Sequence, residues 1–161
     1  MVVLGLGIIL QLSVISRFNI LNGNGDLILI IICAWASQEK SRYIWLWGMV
    51  GGMLSGWISA APWYLYISVY TIVIGLSRII IRRVWQAPLL AMFLITFIGS
   101  ILLYGFTYTY RLLFENMSET FGVVFIEIIL PSILINLLLI LIITPGIKYI
   151  SKWVVKEEIT G

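Results

Sequence analysis

Histidine is absent from this chain, and cysteine occurs once, at Cys33. Without histidine the commonest general base and the commonest metal ligand are missing. One cysteine cannot form a disulfide within the chain. Because it lies in the apolar run Leu27–Ala36, Cys33 reads as a small buried hydrophobe. Charge is scarce as well: 11% of residues are charged, where a soluble domain carries about 25%. There is no Gly-rich phosphate loop and no Cys/His metal spacing, so no cofactor, metal or catalytic residue set is expected. Basic residues sit at the ends of apolar runs and form no stripe, which speaks against nucleic-acid binding.

What the chain does have is apolar length. Of 161 residues, 61% are hydrophobic, and the mean hydropathy is +1.10. A chain this short could not hide that much apolar surface from water. Lipid is the solvent that suits it. A membrane helix needs about 20 apolar residues, so the reading is a single integral membrane domain over residues 1–161, all α-helical. Met1–Ser16 is apolar, but no basic residue precedes it and no small-residue cleavage pattern follows. It is read as a retained first helix.

The apolar runs and their interruptions predict six transmembrane helices, one of them short. Span 1 is Val2–Ser16, and Asn22-Gly23-Asn24-Gly25-Asp26 makes an outer turn. Asp26 is placed to cap the helix that follows. Span 2, Leu27–Ser37, is the short one. Span 3 is Tyr43–Ala61, a tight turn forms at Ala61-Pro62-Trp63, and span 4 is Trp63–Ile81, closed by Arg82 and Arg83. Span 5 is Pro88–Tyr110, followed by a polar loop at Arg111–Thr120. Span 6 is Phe121–Ile143, followed by a basic tail with Lys148, Lys152 and Lys156.

With a cytoplasmic N-terminus, six spans place Lys40, Arg42, Arg78, Arg82, Arg83, Lys148, Lys152 and Lys156 inside, and Arg17 and Arg111 outside. That is eight of the ten basic residues and satisfies the positive-inside rule. A rival topology also fits: span 2 re-entrant, five spans and an external N-terminus. Both put the C-terminus in the cytoplasm. Tyr43, Trp45, Trp63, Tyr64, Tyr66, Trp85, Tyr108, Tyr110, Tyr149 and Trp153 fall near span ends, at headgroup level.

Four features stand out within the spans. Gly48, Gly52 and Gly56 recur every four residues in span 3, with Gly51 and Ser55 beside them. Small residues at that spacing let another helix approach closely. They mark either internal packing or a groove for a partner helix, with Gly48, Gly52, Ser55 and Gly56 as its candidate lining. Glu127 lies about two turns inside span 6. It is either a coupling carboxylate or a group solvated near the outer interface. Gln11, Ser55, Thr96 and Asn136 are the other polar residues read at depth. Pro131 removes a backbone hydrogen bond and predicts a kink near Glu127. Arg78, Arg82 and Arg83 form a cytoplasmic basic cluster that sets topology, and that could also meet anionic lipid or an acidic partner.

Three stretches carry a family resemblance. They are Asn22-Gly23-Asn24-Gly25-Asp26-Leu27, the glycine-rich run Gly48 through Pro62, and Tyr70 through Arg83 with Gly75 and Arg78. In their order the chain resembles the rod shape-determining MreD family of bacteria, by pattern over residues 1–85 and by hydropathy beyond. Family members often carry Pro before the acidic residue of the turn, where this chain has Gly25. They often carry Asp late in span 3, where it has Gly56, so no role for that Asp carries over.

The resemblance implies a fold similar to the substrate-binding membrane subunits of energy-coupling-factor transporters. It also implies a non-enzymatic scaffold in the bacterial cytoplasmic membrane, supporting rod shape and lateral peptidoglycan synthesis. The implied partners are an MreC-like single-span protein, a RodA-type glycosyltransferase and a class B penicillin-binding transpeptidase. The competing expectation is a vitamin-type substrate-capturing subunit of a transporter, which requires a solvent-accessible pocket with convergent polar groups.

Overall fold

The computed structural model describes residues 5, 7, 9, 23–36, 44–59, 61–84, 88–115 and 120–159. Most of span 1, with Gln11 and Arg17, lies outside them. So do Asn22, the polar stretch 37–43, Trp85 and Glu119.

Regular structure among the described residues is helical. Helix α1 is Leu27–Ala36, α2 is Ile44–Ile58, α3 is Trp63–Arg83 and α4 is Pro88–Phe114. A short α5, Phe121–Val124, passes through a π-helical turn, Phe125–Ile129, into α6, Leu130–Ile159. Three stretches are long and apolar enough to cross a membrane: Trp63–Arg83, Leu89–Phe114 and Phe121–Ile147. The two shorter apolar helices are α1 and α2.

Helix α1 is the axis of the bundle. Its sequence, Leu-Ile-Leu-Ile-Ile-Ile-Cys-Ala-Trp-Ala, has no polar face, and a helix that is apolar all round belongs inside. All ten of its residues are buried. Packed around it are α2, α3, α4 and α6. Ten residues rise about 15 Å, roughly half of a 30 Å hydrocarbon layer. Trp35 of α1 stacks on Trp47 of α2, with ring centroids 4.7 Å apart.

Helices α2 and α3 form an antiparallel pair around the expected turn. Pro62 is extended (φ −66°, ψ 144°) and occupies the position before α3. Its ring fixes φ and it needs no N–H there. The outer sides of the bundle are apolar, as lipid-facing surfaces should be. Exposed large side chains include Met49 and Met53 of α2, Phe97 and Ile101 of α4, and Leu138 and Ile142 of α6.

Helix α2 ends at Ile58, three residues before the expected Ala61, and α3 runs two residues past Ile81 to Arg83; two further ends lie four or more residues beyond the sequence reading. Helix α4 runs to Phe114, not Tyr110, because Arg111-Leu-Leu-Phe contains no breaker. Arg111 also pairs with Glu115 one turn on, at 2.8 Å. The last helix does not end at Ile143: it continues through Pro145 to Ile159. A proline costs one backbone hydrogen bond and crowds the preceding turn, and in membrane helices such losses are tolerated.

Candidate functional site

Four buried polar residues, Tyr70, Ser55, Asn136 and Ser100, are linked to Asp26. Residues 23–26 enter the bundle as non-helical backbone before α1 begins. Asp26 Oδ1 accepts the Leu29 N–H at 3.0 Å, as the expected N-cap. Its other oxygen, Oδ2, accepts the Tyr70 hydroxyl of α3 at 2.9 Å. Tyr70 has one proton and has given it to Asp26. The 2.9 Å bond between Ser55 Oγ and Tyr70 Oη is therefore donated by Ser55, on α2.

A second branch reaches α6 and α4. The Asp26 N–H donates to Asn136 Oδ1 at 2.9 Å, and Asn136 Nδ2 donates to Ser100 Oγ at 2.9 Å. The backbone donor fixes which end of the Asn136 amide faces it. Separate bonds hold the exposed Asn24: its N–H donates to Ser132 Oγ at 3.0 Å, and its carbonyl accepts from the Tyr104 hydroxyl. Ser132 passes its own proton to the Ile128 carbonyl at 2.6 Å.

Burial decides what this arrangement is worth. Asp26 is 6% exposed, Ser55 3%, and Tyr70, Ser100, Ser132 and Asn136 are at 0%. Each unpaired buried donor or acceptor would cost about 1–3 kcal/mol, so a network that pairs them holds α1 in one register among four helices. The acidic turn residue caps the helix as expected, and it is buried, because Tyr70 and Asn136 supply the partners that burial demands. Gly23 permits the close approach: a Cβ there would lie 2.7 Å from Pro131 Cβ and 2.8 Å from the Ser132 nitrogen.

The glycine stripe faces inward. A Cβ at Gly48 would lie 2.5 Å from Ile74 Cδ1, and one at Gly52 would lie 2.7 Å from the Ile67 Cα. At Gly56 it would collide with Trp63, and at Gly51 it would crowd Ile28 and Ile32 of α1. The stripe is therefore the seam between α2 and α3, and Ser55 beside it is the partner of Tyr70. The groove expected for a partner helix at Gly48, Gly52, Ser55 and Gly56 is already filled by the chain's own α3.

Glu127 and Pro131 meet at the π-helical turn. Proline at 131 has no N–H to offer the Glu127 carbonyl and crowds it. The widened turn answers this: the Leu130 N–H reaches back five residues to the Phe125 carbonyl. The distortion expected near Glu127 takes this form. The Glu127 side chain is on the exposed side, away from the Asp26 network.

Arg78, Arg82 and Arg83 are exposed at the far end of α3 from that network. Arg78 Cζ lies 5.5 Å from the centre of the Trp45 ring, in cation–π range.

Sequence reasoning missed Tyr70, Ser100, Tyr104 and Ser132. A signal was present. Tyr70 lies mid-span, where a tyrosine needs a polar partner. Ser100 with Tyr104, and Ser132 with Asn136, are spaced four apart and so share a helix face. Among the described residues, no three His, Cys, Asp or Glu side chains converge as a metal site would require. A small cavity of about 50 Å³ lies beside the π-helical turn, lined by Tyr104, Thr107, Tyr108, Arg111 and Ile128 among others. It is large enough to hold water. Compared with known proteins, the chain matches no family model, no curated protein and no solved structure.

Proposed function

We propose that this protein is a non-enzymatic membrane scaffold of a bacterial cell-elongation complex, of the MreD kind, holding an MreC-like partner beside the wall-synthesising glycosyltransferase and transpeptidase. Six spans, a fold like that of energy-coupling-factor substrate-binding subunits and a cytoplasmic C-terminus belong to the same proposal. Its sequence support is the order of the turn at 22–27, the glycine-rich helix before Pro62 and the arginine-closed helix after it.

One observation carries the choice of scaffold over capture subunit. The polar groups around Asp26 are spent on one another: Asp26, Tyr70, Ser55, Asn136 and Ser100 bond in a chain that ties α1 to its neighbours. A capture subunit turns such groups toward a ligand, whereas among the described residues these groups turn toward one another. A braced, apolar-walled bundle is suited to presenting faces to other membrane helices.

Since α3 fills the glycine seam, the partner helix takes an outward face. Photo-crosslinkers at exposed Met49, Ile101 and Ile142 sample α2, α4 and α6 in turn. The proposal expects at least one to capture an MreC-like single-span protein in native membranes. It also expects that protein to follow this chain through mild-detergent purification, as identified by mass spectrometry. No adduct from any position, with a purified protein whose melting temperature rises on adding a vitamin, would favour the capture subunit.

A further inference from the structure

The arginine end of α3 has a geometry that topology alone does not require. Helix α3 is 21 residues long, about 31 Å, close to the hydrocarbon thickness. Arg78 stands five residues before its end, about 7.5 Å back along the axis at 1.5 Å per residue. A guanidinium at that depth reaches for the headgroup level or for a counter-charge. Arg82 follows four residues on, on the same face, with Arg83 next to it. All three are exposed. The ion pair seen among the described residues is Arg111–Glu115, on another helix, and none of these three arginines is paired there with a carboxylate.

Trp45, at the start of α2, organises the cluster. Gly75 lies beside the ring: a Cβ there would be in ordinary van der Waals contact with Trp45 Cη2, at 3.9 Å. The indole then lies beneath Arg78 at 5.5 Å. A ring on one face of a guanidinium leaves its in-plane N–H donors for a planar, two-oxygen acceptor. Phosphate oxygens fit that fork. Ile79 and Leu46 beside it are exposed at 57% and 53%, so apolar surface for a hydrocarbon chain adjoins the cationic groups.

We infer that Arg78, Arg82 and Trp45 form a site for the phosphate headgroup of an anionic lipid, with an acyl chain along Ile79 and Leu46. The exposed apolar flank favours a lipid over an acidic protein surface, which would approach from water.

Native mass spectrometry of the delipidated full chain tests this, titrating phosphatidylglycerol against phosphatidylcholine with the same acyl chains. The site predicts preferential retention of phosphatidylglycerol. Arg78→Gln should weaken that retention about fivefold, and Arg78→Gln with Arg82→Gln about 25-fold, at the usual worth of a basic residue near an anionic bilayer. Arg111→Gln, an exposed arginine elsewhere, should leave it unchanged and shows that charge alone is not read. Retention that survives excess inorganic phosphate assigns the site to lipid, whereas displacement by phosphate would assign it to a free anion and overturn the lipid. Equal retention of both lipids, or loss by Arg111→Gln to the same extent, would also overturn it, leaving the arginines to topology or to an acidic partner.

Discussion

Replacing Tyr70 with phenylalanine isolates the hydrogen bonding at the centre of the bundle from its packing. The ring is fully buried and keeps its place, so little volume is lost. What goes is one hydroxyl that donates to Asp26 Oδ2 and accepts from Ser55 Oγ, both at 2.9 Å. The partners stay behind in a closed interior. A buried neutral group left unpaired costs about 1–3 kcal/mol, and a carboxylate costs more, so about 3 kcal/mol is expected for the pair. In a chain of this length, about 2–4 °C of melting temperature goes with each kcal/mol. Tyr70→Phe should therefore melt about 6–12 °C below the wild type in the same detergent, followed by intrinsic fluorescence. Ser55→Ala adds an internal check. If Ser55 donates to Tyr70, its removal should cost less in the Tyr70→Phe background than in the wild type, because the shared bond is already gone. A Tyr70→Phe protein melting within about 1 °C of wild type would refute the reasoning, since a difference that small corresponds to less than about 0.5 kcal/mol.

Other substitutions probe the packing around that network. Gly52→Leu should abolish the monodisperse peak in size-exclusion chromatography, because its Cβ would meet the Ile67 backbone at 2.7 Å and neither helix can yield without parting the seam; an unchanged elution profile would place α2 and α3 wrongly. Gly23→Ala should lower the melting temperature, while Gly122→Ala, where a Cβ meets nothing within 4 Å, should hold or raise it, as alanine outranks glycine in helices by about 1 kcal/mol. Arg111→Gln should change thermal stability by less than about 0.5 kcal/mol, the usual worth of an exposed pair four residues apart on a helix.

How far the sequence could be read depends on where each residue's partner lies. Asp26 as a helix cap was legible because its acceptor role is local: Leu29 is three residues on. Its depth was not, because the partners that make burial tolerable are 44 and 110 residues away. An Asn/Gly-rich turn ordinarily reports water. Here Gly23, Gly25 and Asp26 are buried, Asp26 bonded to Asn136, while Asn24 stays exposed and is held by Ser132 and Tyr104; span spacing alone does not place these partners beside the turn. The glycine spacing of α2 was legible as a close approach, but spacing does not name the neighbour. The brief connection at Pro62 does favour α3, since short links make antiparallel neighbours. Span 6 was ended at Ile143, where the basic tail follows, but the helix continues through Pro145; within lipid the cost of abandoning backbone hydrogen bonding outweighs the loss of one. For the same reason the MreD resemblance speaks to order and composition, while the closed interior had to come from the geometry.

The account depends above all on α1 being enclosed on every side and pinned there by Asp26. Cys33, the chain's lone cysteine, lies in the middle of that helix with 0% of its surface exposed, so its alkylation rate reports the enclosure directly. Native protein in mild detergent should resist N-ethylmaleimide and take up one equivalent only after denaturation in dodecyl sulfate, with Asp26→Ala shortening the native protection. Rapid native labelling, at the rate of the denatured chain, would contradict it.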